Sequence, residues 1–212
     1  ELERIPYRKY KSKNKPLDTE LCELLFYIQK KPLKEKQTIP NDEEFKLTQD
    51  YFPQKKLVKS PLNYIGGKYR LLKQILPLFP KNIKTFVDLL SGGANVGINV
   101  EAEKYIFNDM NYLINDMFRL FQKMPIETIL SSIEYRISQY QLSKTNEEGF
   151  LKFRSDYNNN PNPLDLYVLS SFSYNYQFRF NSKMQFNNPF GRNRSSFNER
   201  MKENLCYFTQ RL

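Results

Sequence analysis

Three short stretches of this sequence set turn-forming residues beside groups able to hold charge, two of them with paired glycines. Residues 63–80 read NYIGGKYRLLKQILPLFP: Tyr64, then Gly66, Gly67 and Lys68, then an amphipathic run closed by Pro77 and Pro80. Paired glycines there serve either a turn that needs positive φ or a backbone that another group must approach closely. Residues 84–100, KTFVDLLSGGANVGINV, open with an apolar run from Phe86 to Leu90 broken by Asp88, followed by Ser91, Gly92 and Gly93. Residues 105–124, YIFNDMNYLINDMFRLFQKM, repeat the plan with a short strand, Tyr105 to Phe107, that ends at Asn108 and Asp109. Asp88 is placed where a carboxylate can meet a cationic amino group. Asp109, about twenty residues on, stands where dinucleotide-binding folds hold ribose hydroxyls, because a carboxylate accepts from both.

The ligand these groups suit is a nucleoside that carries a charged amino acid. SGGANVG lacks a third glycine in the usual register, so a pyrophosphate is disfavoured. S-adenosylmethionine has a ribose, an adenine, a charged methionine and no phosphate, and it fits better. The plainer alternative is a tight turn that packs a helix on a strand.

The elements that must position these residues follow from hydrophobic period. Two consecutive strand–turn–helix units predict an open α/β sheet of the doubly wound type. Residues 125–170 read as helices, with Ile126, Ile129, Leu130, Ile133 and Ile137 on one face and the polar turn NNNPNP between the last two. From 171 the aromatics alternate at Tyr174, Tyr176, Phe178 and Phe180, a turn follows at Asn181, Ser182 and Lys183, and then Phe186. That spacing predicts a β-hairpin. Residues 171–198 contain no acid but do contain Arg179, Lys183, Arg192 and Arg194. Aromatics stack on unpaired bases for ~1–3 kcal/mol each, and arginine reads guanine, so the segment suits nucleic-acid contact. Alternating aromatics equally serve a core. Ahead of the glycine motifs, residues 1–59 are lysine-rich, with a basic run at 8–15 and helical patterns at 18–31 and 40–52.

Composition narrows the chemistry. The 212 residues carry a formal net charge of +10, with a sequence pI near 9.4, which suits a polyanionic partner. There is no histidine, which excludes Ser–His and Cys–His nucleophilic schemes and removes the commonest metal ligand. No metal is expected. Cys22 and Cys206 fit no zinc spacing and are expected to be reduced, buried thiols. No apolar run approaches a membrane span, and a cytoplasmic location is expected.

Together, Tyr64 to Lys68, Phe86 to Gly93, Asn108-Asp109, Tyr157 to Tyr167, Phe178 to Asn181 and Phe186 to Gly191 resemble, in that order, DNA adenine N6-methyltransferases of the Dam type (the D12 class), phage-encoded members above all. The resemblance covers roughly residues 60–212. It implies a Rossmann-like sheet binding S-adenosylmethionine through Tyr64, Gly66, Gly67, Lys68, Asp88, Ser91, Gly92, Gly93 and Asp109. It implies a helical and β-hairpin insert that reads a short GATC-like site in duplex DNA. Arg179 and Asn181 would read bases, and Lys183, Arg192 and Arg194 would join the DNA contact. Pro189 and Phe190 would wedge the base step so that the adenine leaves the stack. The implied partition is a basic extension (1–59), a cofactor-binding part (60–124), a recognition region (125–197) and a return segment (198–212). The family's catalytic Asp-Pro-Pro-Tyr motif is absent from these residues. It is expected beyond Leu212, and the isolated chain is expected to be inactive. The alternatives are a non-catalytic DNA-binding remnant, a homodimer or split enzyme completed by another polypeptide, and a methyltransferase acting on RNA.

Overall fold

Proline limits the first helical stretch. The computed structural model describes residues 57–212. Tyr69–Leu71 forms a 3-10 turn, α1 (Leu72–Ile75) adds one α-helical turn, and Leu76–Leu78 reverts to 3-10, because Pro77 cannot donate a helical hydrogen bond. Two parallel strands follow, β1 (Ile83–Asp88) and β2 (Ala102–Phe107), with Ile83 opposite Ala102 and Asp88 opposite Phe107. Among the described residues they make a two-stranded sheet.

The connection between the strands departs from expectation. No α-helix follows the glycine pair; residues 89–101 carry only a 3-10 turn at Gly97–Asn99. The side chains there are committed elsewhere. Asn99 accepts from Val58 N (2.8 Å) and donates to Val58 O (2.7 Å), and Asn95 accepts from Ser60 N (3.0 Å). Gly97 N donates to Asp88 Oδ2 (3.1 Å). A Cβ on Gly97 would lie 2.3 Å from a Phe107 ring carbon and 3.0 Å from that carboxylate. The turn is thus pressed onto the end of the sheet, and it pins the chain entering the domain.

The helical part is built by asparagine caps. Asn111 starts α2 (Tyr112–Lys123), Asn146 starts α4 (Glu147–Asn159), Asn162 starts α5 (Pro163–Phe172) and Asn198 starts α6 (Glu199–Thr209). Each side chain accepts a first-turn N–H, at 3.2, 3.0, 2.9 and 3.1 Å. Such caps contribute about 1 kcal/mol each. Helix α3 (Ile126–Gln139) begins after Pro125 and turns Ile129 and Ile133 fully inward. Helix α5 is buried from Leu164 to Phe172, its apolar majority enclosed together with Asp165, Ser170 and Ser171. Its one carboxylate, Asp165, accepts from Arg136 Nε of α3 (2.8 Å) and from Asn162 Nδ2 (2.6 Å).

The segment after α5 is not a regular hairpin. Tyr174–Tyr176 forms a 3-10 turn with Asn175 and Tyr176 at φ 53° and 57°, and antiparallel pairing reduces to single bridges at Ser173–Phe190 and Phe180–Phe186. The aromatic alternation is therefore only partly that of a strand. The Asn188 amide replaces ladder bonds, donating to Ser173 Oγ (2.9 Å), Tyr174 O (2.9 Å) and Gln177 O (3.0 Å). Among the described residues no helix is long and apolar enough to cross a membrane. Cys206 is a free, half-buried thiol rather than a buried one. Cys22 and the helical patterns at 18–31 and 40–52 lie outside the described residues.

Gly97→Ala should destabilise the domain by ~1–3 kcal/mol through overpacking against Phe107 and Asp88. Chemical denaturation checks this; an unchanged midpoint would mean the turn yields freely.

Candidate functional site

The carboxyl ends of the two strands bring the predicted acids together. Asp88 closes β1, and Asn108 N donates to its carbonyl (2.9 Å); Ser91 N in turn donates to Asn108 O (2.8 Å). Asp109 reaches across. Its Oδ2 accepts from Gly92 N (2.9 Å), and its Oδ1 accepts from Asn111 N (2.9 Å) and, more distantly, from the Tyr64 hydroxyl (3.4 Å). Burial holds the Asp88 carboxyl above the usual aspartate range, against the opposing Gly97 N–H and with a further upward push from the charge of Asp109. Burial, then Asp109, pushes the Tyr64 phenol up as well.

Gly66 fits the turn reading of its motif, and close approach is found instead at Gly92 of the second glycine pair. Gly66, at φ +79°, makes the turn that Gly67 N closes onto Tyr64 O (3.1 Å), and the exposed Lys68 ammonium donates to Gly66 O (2.7 Å). Gly92, at φ +48°, is where close approach operates: a Cβ there would stand 2.8 Å from the Tyr64 ring. A Cβ on Gly93 would sit 3.1 Å from Ser60 Oγ. Two neighbouring polar atoms, Ser91 Oγ and Asn115 Oδ1, are buried without a partner. An unpaired buried group of this kind costs about 1–3 kcal/mol. The amide of Asn115 donates to Asp109 O (2.9 Å). Asn95, Asn111 and Asn115 were not singled out from sequence, although the N-D-x-N pattern of a capped helix start carried the signal for Asn111.

The same ring of Tyr64 reaches toward the acid-free segment. Its centroid lies 6.4 Å from that of Phe178, and with Asn63, Ile65 and Phe178 it lines a cavity of about 130 Å³. Asn63 Nδ2 donates to Asn175 O (2.7 Å), which ties the two segments directly. Arg179, Lys183, Pro189 and Arg194 are exposed. Arg192 is exposed too but forms an ion pair with Glu147.

Two expected DNA-contacting residues are placed otherwise. Phe190, expected as a wedge, is only 8% exposed and packs on Phe150 with ring centroids 5.3 Å apart, so the core claims it. Asn181, expected to read a base, spends its side chain within its own turn. Its Oδ1 accepts from Lys183 N (2.9 Å) and Gln185 N (3.0 Å), and its Nδ2 donates to Gln185 Oε1 (3.0 Å). Among the described residues no group of histidine, cysteine or acids could hold a metal.

The described residues thus present a parallel α/β edge bearing two carboxylates and a glycine turn, joined to a helical region with a basic segment. Residues 64–212 match the family described as D12 class N6 adenine-specific DNA methyltransferase, and the chain belongs to that family. It is 62% identical over 215 residues to the modification methylase StsI of Streptococcus sanguinis, covering 100% of this chain and 32% of that protein. It is 49% identical over 219 residues to the type II methyltransferase M.FokI of Planomicrobium okeanokoites, covering 99% of this chain and 32% of that protein. Identity to the DNA adenine methylase of Escherichia coli (strain K12) is 28% over 135 residues, covering 62% of this chain and 47% of that protein. The chain thus spans about a third of the length of the two modification enzymes.

The raised pKa of Asp88 has a defined sign. The folded state binds its proton more tightly than the unfolded state. The stabilisation is complete below the unfolded pKa and is lost as pH rises through the folded one. At neutral pH the buried charge therefore opposes folding. Asp88→Asn, which keeps an oxygen for Gly97 N–H, should melt at an equal or higher temperature at pH 7. It should also flatten the pH dependence just above the ordinary aspartate range. A marked drop in melting temperature at pH 7 would show that the fold requires the charge.

Proposed function

We propose that residues 60–212 form the cofactor-binding and target-recognition portion of an adenine-specific DNA methyltransferase that uses S-adenosylmethionine and acts on a short site in duplex DNA. The observation that carries this reading is the Asp88–Gly92–Asp109 cluster at the strand ends, with Ser91 Oγ buried and unpartnered beside it. These residues fit the cofactor. A carboxylate offers about four acceptor positions. Gly92 N, Asn111 N and the long Tyr64 hydroxyl contact take three on Asp109, which leaves capacity for a ribose hydroxyl. Asp88 would face the ammonium of the methionine part, and Ser91 Oγ would gain the partner it lacks. Gly93 keeps the turn close to Ser60. The Tyr64 ring would cover the cofactor, with Gly66, Gly67 and Lys68 completing the closure. When bound, S-adenosylmethionine supplies a methyl group on a sulfonium, ready for attack by the adenine amine.

On the DNA side, Arg179 is proposed to read a base. Lys183, Arg192 and Arg194 would contact phosphates, and exposed Pro189 would lie near the target step. A GATC-like site is the proposed target. No Asp-Pro-Pro-Tyr occurs in residues 1–212, so acceptance of the adenine amine protons is assigned to sequence outside this stretch. The stretch alone would bind without methylating. The names of the similar modification enzymes suggest a role protecting DNA within a restriction–modification pair.

Asp109→Ala should abolish S-adenosylmethionine binding in calorimetric titration while DNA affinity stays within about twofold. A melting curve on the same sample separates loss of the site from loss of the fold, and unchanged cofactor affinity would remove Asp109 from the site. Arg179→Ala should cut discrimination between target and altered duplexes by ~1–3 kcal/mol. If the salt dependence falls while discrimination holds, Arg179 contacts phosphate instead.

A further inference from the structure

The stretch from 171 to 198 is acid-free in sequence, yet the fold supplies it with a carboxylate. Glu147, the first residue of α4, forms an ion pair with Arg192, and Asn193 N donates to Lys144 O (2.7 Å) just ahead of that helix. The loop that presents Arg192 is stiff: Gly191 N donates to Phe172 O (2.9 Å), and Arg194 N and Ser195 N return to Gly191 O (3.0 and 2.9 Å). The pair itself is wet, with side chains 64% and 42% exposed for Arg192 and Glu147. An exposed pair of this kind is held weakly and exchanges readily. A guanidinium donates to carboxylate and phosphate oxygens through the same planar fork. The start of α4 favours an anion, which keeps the Glu147 carboxylate where a second anion would otherwise settle.

We propose that Glu147 is an internal substitute for a DNA phosphate: it holds Arg192 in the unbound protein and is displaced from it when duplex DNA binds. This rests on the DNA-binding reading above. Binding then exchanges one oxyanion for another, and the released carboxylate opposes the incoming backbone. Glu147 sets a ceiling on DNA affinity through Arg192, independent of the bases read.

The test is DNA affinity of the full chain, wild type, Glu147→Gln, Arg192→Gln and the double variant, across a salt series. The probes are a 20-base-pair duplex containing GATC and the same duplex with that site scrambled. Glu147→Gln should tighten binding to both duplexes by about three- to tenfold and steepen the salt dependence by up to about one ion. The gain should vanish in the Arg192→Gln background. Unchanged or weakened binding of Glu147→Gln would overturn the proposal, and weakening would make Glu147 a positioning residue. A gain that persists without Arg192 would reduce it to bulk charge. A gain confined to the GATC duplex would mean that Arg192 reads a base, which overturns the phosphate assignment. Absence of any duplex binding by wild type would instead overturn the DNA-binding reading itself, together with this proposal.

Discussion

The geometry of the strand ends depends on one carboxylate. Asp109 takes backbone N–H groups from two different turns, that of Gly92 and that of Asn111. Hydrogen bonds to a charged acceptor contribute about 1.5–3 kcal/mol each, more than the neutral bonds around them. Gly92 can meet that demand because it adopts a left-handed backbone, and the missing side chain leaves room for the Tyr64 ring, whose hydroxyl then leans on the same carboxylate. The N–H of Asn111 is held just where its own side chain caps α2. One acid thereby sets the glycine turn, the aromatic cover and the start of the helix that carries Phe118 and Phe121 into the core.

The basic segment is held by different means. Few of its bonds are strand pairing. Asn158 of α4 donates to Phe186 O (3.1 Å) and accepts from Phe186 N (2.8 Å), Arg154 donates to Asn188 O (3.3 Å), and the Asn188 amide gathers three acceptors. Side-chain amides satisfy a backbone that has no regular ladder, while Phe180 and Phe186 anchor it to the core. Apart from Arg154 and the Arg192–Glu147 pair, neutral groups do the holding, and Arg179, Lys183 and Arg194 stay exposed.

Much of this was legible in the residues. The two strands, the glycine turns, the acids at the strand ends and the helices from 112 to 172 follow from hydrophobic period and turn chemistry, which act locally. Three features did not, and each depends on long-range contacts. Residues 94–100 read as a helix because Ala, Val and Ile recur, but Asn95 and Asn99 are drawn to residues 58 and 60 and leave only a 3-10 turn. The family resemblance implied Phe190 as a wedge, yet Phe150 of α4 lies beneath it. Asn181 looked like a base reader, but a tight turn in the 181–185 chain consumes an asparagine side chain first. The pairing of Glu147 with Arg192 joins residues far apart in sequence and leaves no local trace.

The two-stranded sheet gives the described domain an uneven resistance to opening. Its strands are mostly exposed or half-buried, with Val87 at 52%, whereas α5 is shielded along nearly its whole length. Two strands alone are marginal in water, and local opening begins where few apolar contacts must be broken. Among the described residues, the amides of β1 and β2 are therefore expected to exchange sooner than those of α5. Any molecule that settles between Asp88 and Asp109 binds the folded state alone, so it slows that local opening and raises the global melting point together.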